Sequence, residues 1–160
     1  MPIEPEAGAG ATVVGGRVPG SLGRAAAWLS KQVELALADA GLSLPQYRIL
    51  GVLAEGASMP SALAERLAVR RPTITAVVEG LEARGLVERT PDGDDRRSIT
   101  HTLTAEGQRL LDTANAAVDA RLTHIAGFLD DPALSERAID GLELWRSAMR
   151  AYGAAREARP

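Results

Sequence analysis

Apolar residues recur every three to four positions along most of this chain, and over one short stretch every second position. The longer period predicts helices and the shorter one a strand pair. Residues 19–40 carry Leu22, Ala26, Leu29, Val33 and Leu37 on one stripe, with Trp28 and Leu35 off it, and Gly41 stops them. Pro45 suits a first helical turn, and Tyr47, Leu50 and Leu53 follow at helical spacing until Gly56. Ser58 is placed to cap the next helix through Leu63, Ala64 and Leu67. A further helix is expected over 71–83, with Ile74, Val78 and Leu81 inward and Gly85 as its stop.

Beyond Gly85 the period drops to two. Residues 86–90 and 98–103 read as a hairpin whose long tip begins Pro91-Asp92-Gly93-Asp94. Thr104 can cap a long helix with Glu106 in its first turn and a stripe of Leu111, Ala114, Val118, Leu122, Ile125 and Leu129. Asp131-Pro132 opens a last helix carrying Ala138, Leu142, Trp145, Met149 and Tyr152. Residues 1–19 mix Gly, Ala and Pro without period and are expected to form a disordered tail.

Two short helices followed by a ribbon are the plan of a winged helix-turn-helix, which sets one helix in a DNA groove and a basic finger beside it. The fold class expected is therefore mainly α, an α+β winged helix. It spans residues 20–160 as one domain, with the winged module at 45–105 and dimerisation helices at 20–42 and about 108–157. A monomer would leave the apolar stripes of the flanking helices wet, so a homodimer is expected.

Two groups of residues carry candidate chemistry. The helix over 71–83 turns Thr73, Ala76 and Val77 away from its inward stripe, with Arg70 and Arg71 at its very start. Small polar groups and arginines at a helix N-terminus suit base edges and phosphates. Arg70 stands where a capping Ser or Asp is expected, and contact with DNA accounts for it. At the hairpin tip, Arg96 and Arg97 are positioned to enter a narrow minor groove, with Asp95 able to hold the Arg97 guanidinium outward.

Thr75, Val78, Leu81, Glu82, Gly85, Leu86, Val87 and Arg89, then Asp95-Arg96-Arg97, then Leu103, Thr104 and Gly107 stand at a spacing that resembles the MarR family of transcriptional regulators. The resemblance runs over about residues 20–155 and is most specific over 72–107. It implies that the helix bearing Pro72, Thr73, Thr75 and Ala76 reads the major groove of double-stranded DNA, and that Arg97 enters the minor groove. It also implies a triangular homodimer, palindromic promoter sites and repression. Arg70 replaces a small capping residue, and Ala76 stands where a long polar side chain is common; both bear on which bases are read. Many such proteins release DNA when a small aromatic or phenolic anion enters a cleft beside the dimer helices. Trp28, Tyr47 and Arg48 are the candidates for that cleft here.

Composition modifies this picture. The net charge of −3 runs against a nucleic-acid binder, and an acidic wing admits a protein–protein winged-helix module as the alternative. Lys31 is the only lysine, so the cationic groups are arginines, whose planar fork suits phosphate and guanine. Arginines and acidic residues are close to balance over 58–107, so recognition is expected to rest on a few placed side chains. The absence of cysteine excludes disulfides, thiolate metal sites and a cysteine redox switch, and fits a cytoplasmic protein. His101 and His124 are too few for a thiol-free zinc site, and no cofactor is expected; His101 shares a strand face with Ile99 and Leu103 and is expected half-buried. Neither a nucleophile–base pair nor a phosphate-cradling glycine loop is present at usable spacing, so an enzyme is not expected. No export signal or membrane span is expected.

Overall fold

The computed structural model describes residues 20–56, 58–91 and 99–157. The tail expected over 1–19 lies outside them. Six helices and two strands follow in the order α1 (Ser21–Asp39), α2 (Leu44–Leu53), α3 (Pro60–Leu67), α4 (Arg71–Ala83), β1 (Val87–Pro91), β2 (Ile99–Leu103), α5 (Ala105–Ala126) and α6 (Pro132–Glu157).

Local chemistry sets most of these boundaries. Ser43 accepts from the Gln46 backbone N–H while Gln46 Oε1 accepts from the Ser43 N–H, a reciprocal cap that starts α2 just before Pro45. Gly85, at φ 70°, ends α4 in the left-handed region, and the Leu86 N–H then returns to the Leu81 carbonyl at 3.0 Å. Thr104 couples that end to the next helix. Its hydroxyl accepts from the Gly107 N–H at 3.0 Å and donates to the Gly85 carbonyl at 2.8 Å. Gly107 must be glycine, because a Cβ there would lie 2.1 Å from the Leu86 carbonyl oxygen.

Ser58 does not cap α3. Met59 is the N-cap residue, and the Ser58 backbone is engaged elsewhere: it exchanges both amide bonds with His101, at 3.0 and 2.9 Å. That bridge extends the β1–β2 ribbon, which pairs antiparallel from Val87↔Leu103 to Pro91↔Ile99. The bridge leaves Ser58 one residue before the N-cap position, and its hydroxyl donates to the Met59 carbonyl at 3.5 Å rather than accepting from the first turn.

One core joins α1 through α5 and the ribbon. Leu37 of α1, Ile49 and Leu50 of α2, Leu63 of α3, Ile74 and Leu81 of α4 form its most buried part, with Leu111 and Ala114 of α5 packed against it. The inward stripe of α4 is as expected, and burying side chains of this size favours folding by about 1.5–3 kcal/mol each. The distal stripes differ. Ile125 and Leu129 are substantially exposed, and Trp145, Met149 and Tyr152 of α6 face open space in the single chain. So do Leu22 and Trp28 on α1. The core of one chain is too small to cover both the winged module and the far ends of three long helices.

Candidate nucleic-acid interface

The start of α4 is built to be accessible. Arg70 occupies the N-cap position in an extended conformation (φ −66°, ψ 140°), and no side chain caps the helix. Pro72 carries no N–H and the Thr73 N–H donates to the Arg70 carbonyl at 3.0 Å, so the first turn is closed by the backbone alone. Arg70, Arg71, Pro72, Thr73, Thr75 and Ala76 are all exposed, while Ile74 and Val78 between them are buried. The structure therefore brings these six candidate residues onto one accessible end. Thr75 Oγ1 donates back to the Arg71 carbonyl at 3.1 Å, so toward a ligand its hydroxyl acts as an acceptor.

Beside this end lies the ribbon. Arg71 and Thr75 share a cavity of about 290 Å³ with Pro60, Arg89, Ile99 and His101, formed where α3, α4 and the strands meet. Asp95, Arg96 and Arg97 belong to the segment 92–98, outside the described residues.

His101 is buried, 5% exposed rather than half-buried, because the Ser58 bridge covers the strand face it shares. Its Nε2 lies 3.1 Å from Glu82 Oε1, and Arg89 Nε approaches the same carboxylate oxygen at 3.9 Å. This set holds the ribbon against the last turn of α4, and so fixes the wing relative to the exposed helix end. Sequence spacing named Glu82 and Arg89 but missed their meeting with His101, since the contact joins α4 to the far strand of the ribbon.

Trp28, Tyr47 and Arg48 are employed separately. Tyr47 donates its hydroxyl to Asn115 Oδ1 at 2.7 Å, bridging α2 to α5; burial, with the Asp119 charge, pushes its phenol above the ordinary 10.0. Arg48 Nη2 donates to the Leu67 carbonyl at 2.9 Å, closing the end of α3. Trp28 is 75% exposed on α1. No described cavity is lined by all three. Among the described residues no cluster of three or more metal-ligating side chains occurs, and no helix is long and apolar enough to cross a membrane.

Residues 40–98, which run from the end of α1 through the hairpin tip, match the model of the MarR family. The HTH-type transcriptional regulator FarR of Neisseria gonorrhoeae is 33% identical over 94 residues, covering 58% of this chain and 64% of that protein, just under two thirds of its length. The HTH-type transcriptional repressor Rv2887 of Mycobacterium tuberculosis is 34% identical over 110 residues, 68% of this chain and 79% of the repressor. Among solved structures, CouR from Rhodococcus jostii RHA1 bound to p-coumaroyl-CoA superposes with a TM-score of 0.65 at 30% identity, covering 82% of this chain and 88% of that one. The transcriptional repressor CouR bound to a 23-mer DNA duplex superposes with a TM-score of 0.65 at 26% identity, over 79% and 89% of the two chains.

Proposed function

Because this chain belongs to the MarR family of winged helix-turn-helix transcriptional regulators, we propose that it is a homodimeric repressor that binds a palindromic operator. The observation that carries this reading is the uncapped, arginine-bearing start of α4, exposed beside a ribbon that Glu82 and His101 hold in place. Arg70 and Arg71 meet phosphates at the positive end of the helix dipole, and Thr73, Thr75 and Ala76 face base edges in the major groove. Arg96 and Arg97 follow the minor groove, with Asp95 orienting Arg97. Pro72 sets the first turn without removing a needed donor.

The flanking helices α1, α5 and α6 join two copies, which spaces the two reading helices about one DNA turn apart, roughly 34–36 Å. The exposed apolar residues on α1 and α6 support that assembly. A small aromatic or phenolic effector then shifts the population toward a spacing that no longer fits DNA. Trp28, Tyr47 and Arg48 are its proposed contacts, and FarR, Rv2887 and CouR, named as regulators or repressors, support the regulatory role. The protein acts in the cytoplasm as a regulator rather than as an enzyme.

A gel shift on the DNA upstream of its own gene tests the reading. Retarded bands that weaken steeply with added salt, and a loss with Arg97→Ala, support it. The acidic net charge favours the competing protein–protein module, for which the same assay gives weak binding that Arg97→Ala leaves unaltered.

A further inference from the structure

The exposed side of α4 carries little that can hydrogen-bond a base. From Thr73 onward its exposed residues are Thr73, Thr75, Ala76, Glu79, Gly80 and Ala83. None has the amide or guanidinium that pairs with adenine or guanine in the major groove. The Thr75 hydroxyl hydrogen is spent on the Arg71 carbonyl at 3.1 Å, and the Glu79 carboxylate can only accept. What the face offers instead is methyl groups, those of Ala76, Thr73 and Thr75.

Ala76 stands at the middle of this face. It is two residues from both Ile74 and Val78, which are buried, and so lies on the opposite side of the helix from the core. Thr73 precedes it by three residues and Gly80 follows it by four, both on its own side. Gly80 has nothing within 4 Å of an added Cβ, so packing within the chain does not require glycine there, although glycine weakens a helix interior. Without a side chain at Gly80 the relief of the face stays low, and the floor of a groove can come close to Ala76.

We propose that α4 reads thymine by methyl contact, with Ala76 as the central specificity residue and Thr73 beside it. Thymine alone among the four bases presents a C5-methyl group in the major groove. Against Ala76 that methyl leaves water for an apolar surface, whereas a cytosine in the same place brings no methyl and an amine that finds no partner on Ala76. Arg70 and Arg71 then supply affinity, and Ala76 supplies the choice of base. This choice rests on the DNA-reading role proposed above, and adds the group that makes it.

The test uses the full chain and a duplex recovered from a random DNA pool, synthesised either with thymine or with uracil at every thymine of its half-sites. Uracil pairs as thymine does and lacks only the methyl. Fluorescence anisotropy should show wild type binding the uracil duplex more weakly, by about fourfold for each methyl in contact. Ala76→Gly removes the methyl on the protein side, and Ala76→Gln puts an amide in its place; each is checked for a native melting transition. Ala76→Gly should at least halve the ratio of thymine to uracil affinity. Ala76→Gln should move the preferred base at the contacted position from thymine to adenine in a repeated selection, and carries the comparison should Ala76→Gly unfold. Equal binding of the two duplexes by wild type overturns the proposal and leaves DNA binding standing. A uracil effect of the same size in both variants belongs to DNA shape and overturns the assignment to Ala76. A pool from which no duplex is enriched overturns the regulatory reading itself, and the methyl reading with it.

Discussion

His101 Nε2 lies 3.1 Å from Glu82 Oε1, which joins the middle of β2 to the last turn of the helix proposed to read DNA. Both groups sit where water has little access, and neither Glu82 Oε1 nor His101 Nδ1 has a partner of hydrogen-bond geometry among the described residues. His101→Ala removes the side chain that lies against this carboxylate and leaves a cavity, and should lower stability by roughly 2–4 kcal/mol. Glu82→Gln keeps size and an acceptor, and should cost less than about 1 kcal/mol. Urea unfolding measures both; equal, small losses would mean that the contact does not hold the ribbon.

Gly107 sits where the start of α5 crosses the turn after α4. An added Cβ meets the Leu86 carbonyl oxygen at 2.1 Å and Leu103 Cδ1 at 2.8 Å, and one of these neighbours is backbone. Gly107→Ala should therefore destabilise by at least about 2 kcal/mol, the range of overpacking in a rigid site. Thermal unfolding of the variant checks this. Gly80→Ala, with nothing within 4 Å of the added carbon, is the control and should be neutral or stabilising.

Tyr47 gives the chain an alkaline limb of stability. Its phenol titrates above 10.0 when folded, because burial and Asp119 disfavour the phenolate, and near 10.0 when unfolded. The folded state thus keeps its proton longer. The contribution is complete below about pH 10 and is lost as pH rises through the folded value. Tyr47→Phe should flatten the fall of the urea midpoint between pH 9 and pH 11. It should also cost about 1 kcal/mol at pH 7 through the lost bond to Asn115.

Trp28 and Trp145 are 75% and 65% exposed in the single chain, on the helices proposed to pair two copies. Sedimentation equilibrium should give twice the chain mass of 16.8 kDa. Trp145→Glu places a charge in that contact and should shift the protein toward monomer while leaving the helical circular dichroism intact. A wild-type mass of one chain at micromolar concentration would count against the dimer.

Much of this fold was readable from periodicity and punctuation. The inward faces of α2 and α4, the glycine stop at Gly85 and the Thr104 cap all rest on contacts within a few residues, which local pattern records. Ser58 misled because a serine before a proline-started helix is an ordinary cap, whereas its backbone is recruited by His101, 43 residues later. The exposed start of α4 was legible from its arginines and inward stripe. The Glu82–His101 contact was not, since it joins a helix to a strand distant in sequence and depends on which rotamers meet. Trp28, Tyr47 and Arg48 lie on the first two helices, yet hydrogen bonding sends Tyr47 to α5 and Arg48 to the end of α3.

The decisive measurement is selection of bound duplexes from a random DNA pool by the full chain. Arg70, Arg71, Thr73, Thr75 and Arg97 acting in a symmetric pair should enrich one palindrome with half-sites about one helical turn apart. Removing Arg71 should weaken binding to that sequence and lower the salt slope by about one. A pool that stays unenriched after repeated rounds, or one that enriches equally with Arg70, Arg71 and Arg97 all replaced by alanine, would contradict DNA reading by these residues.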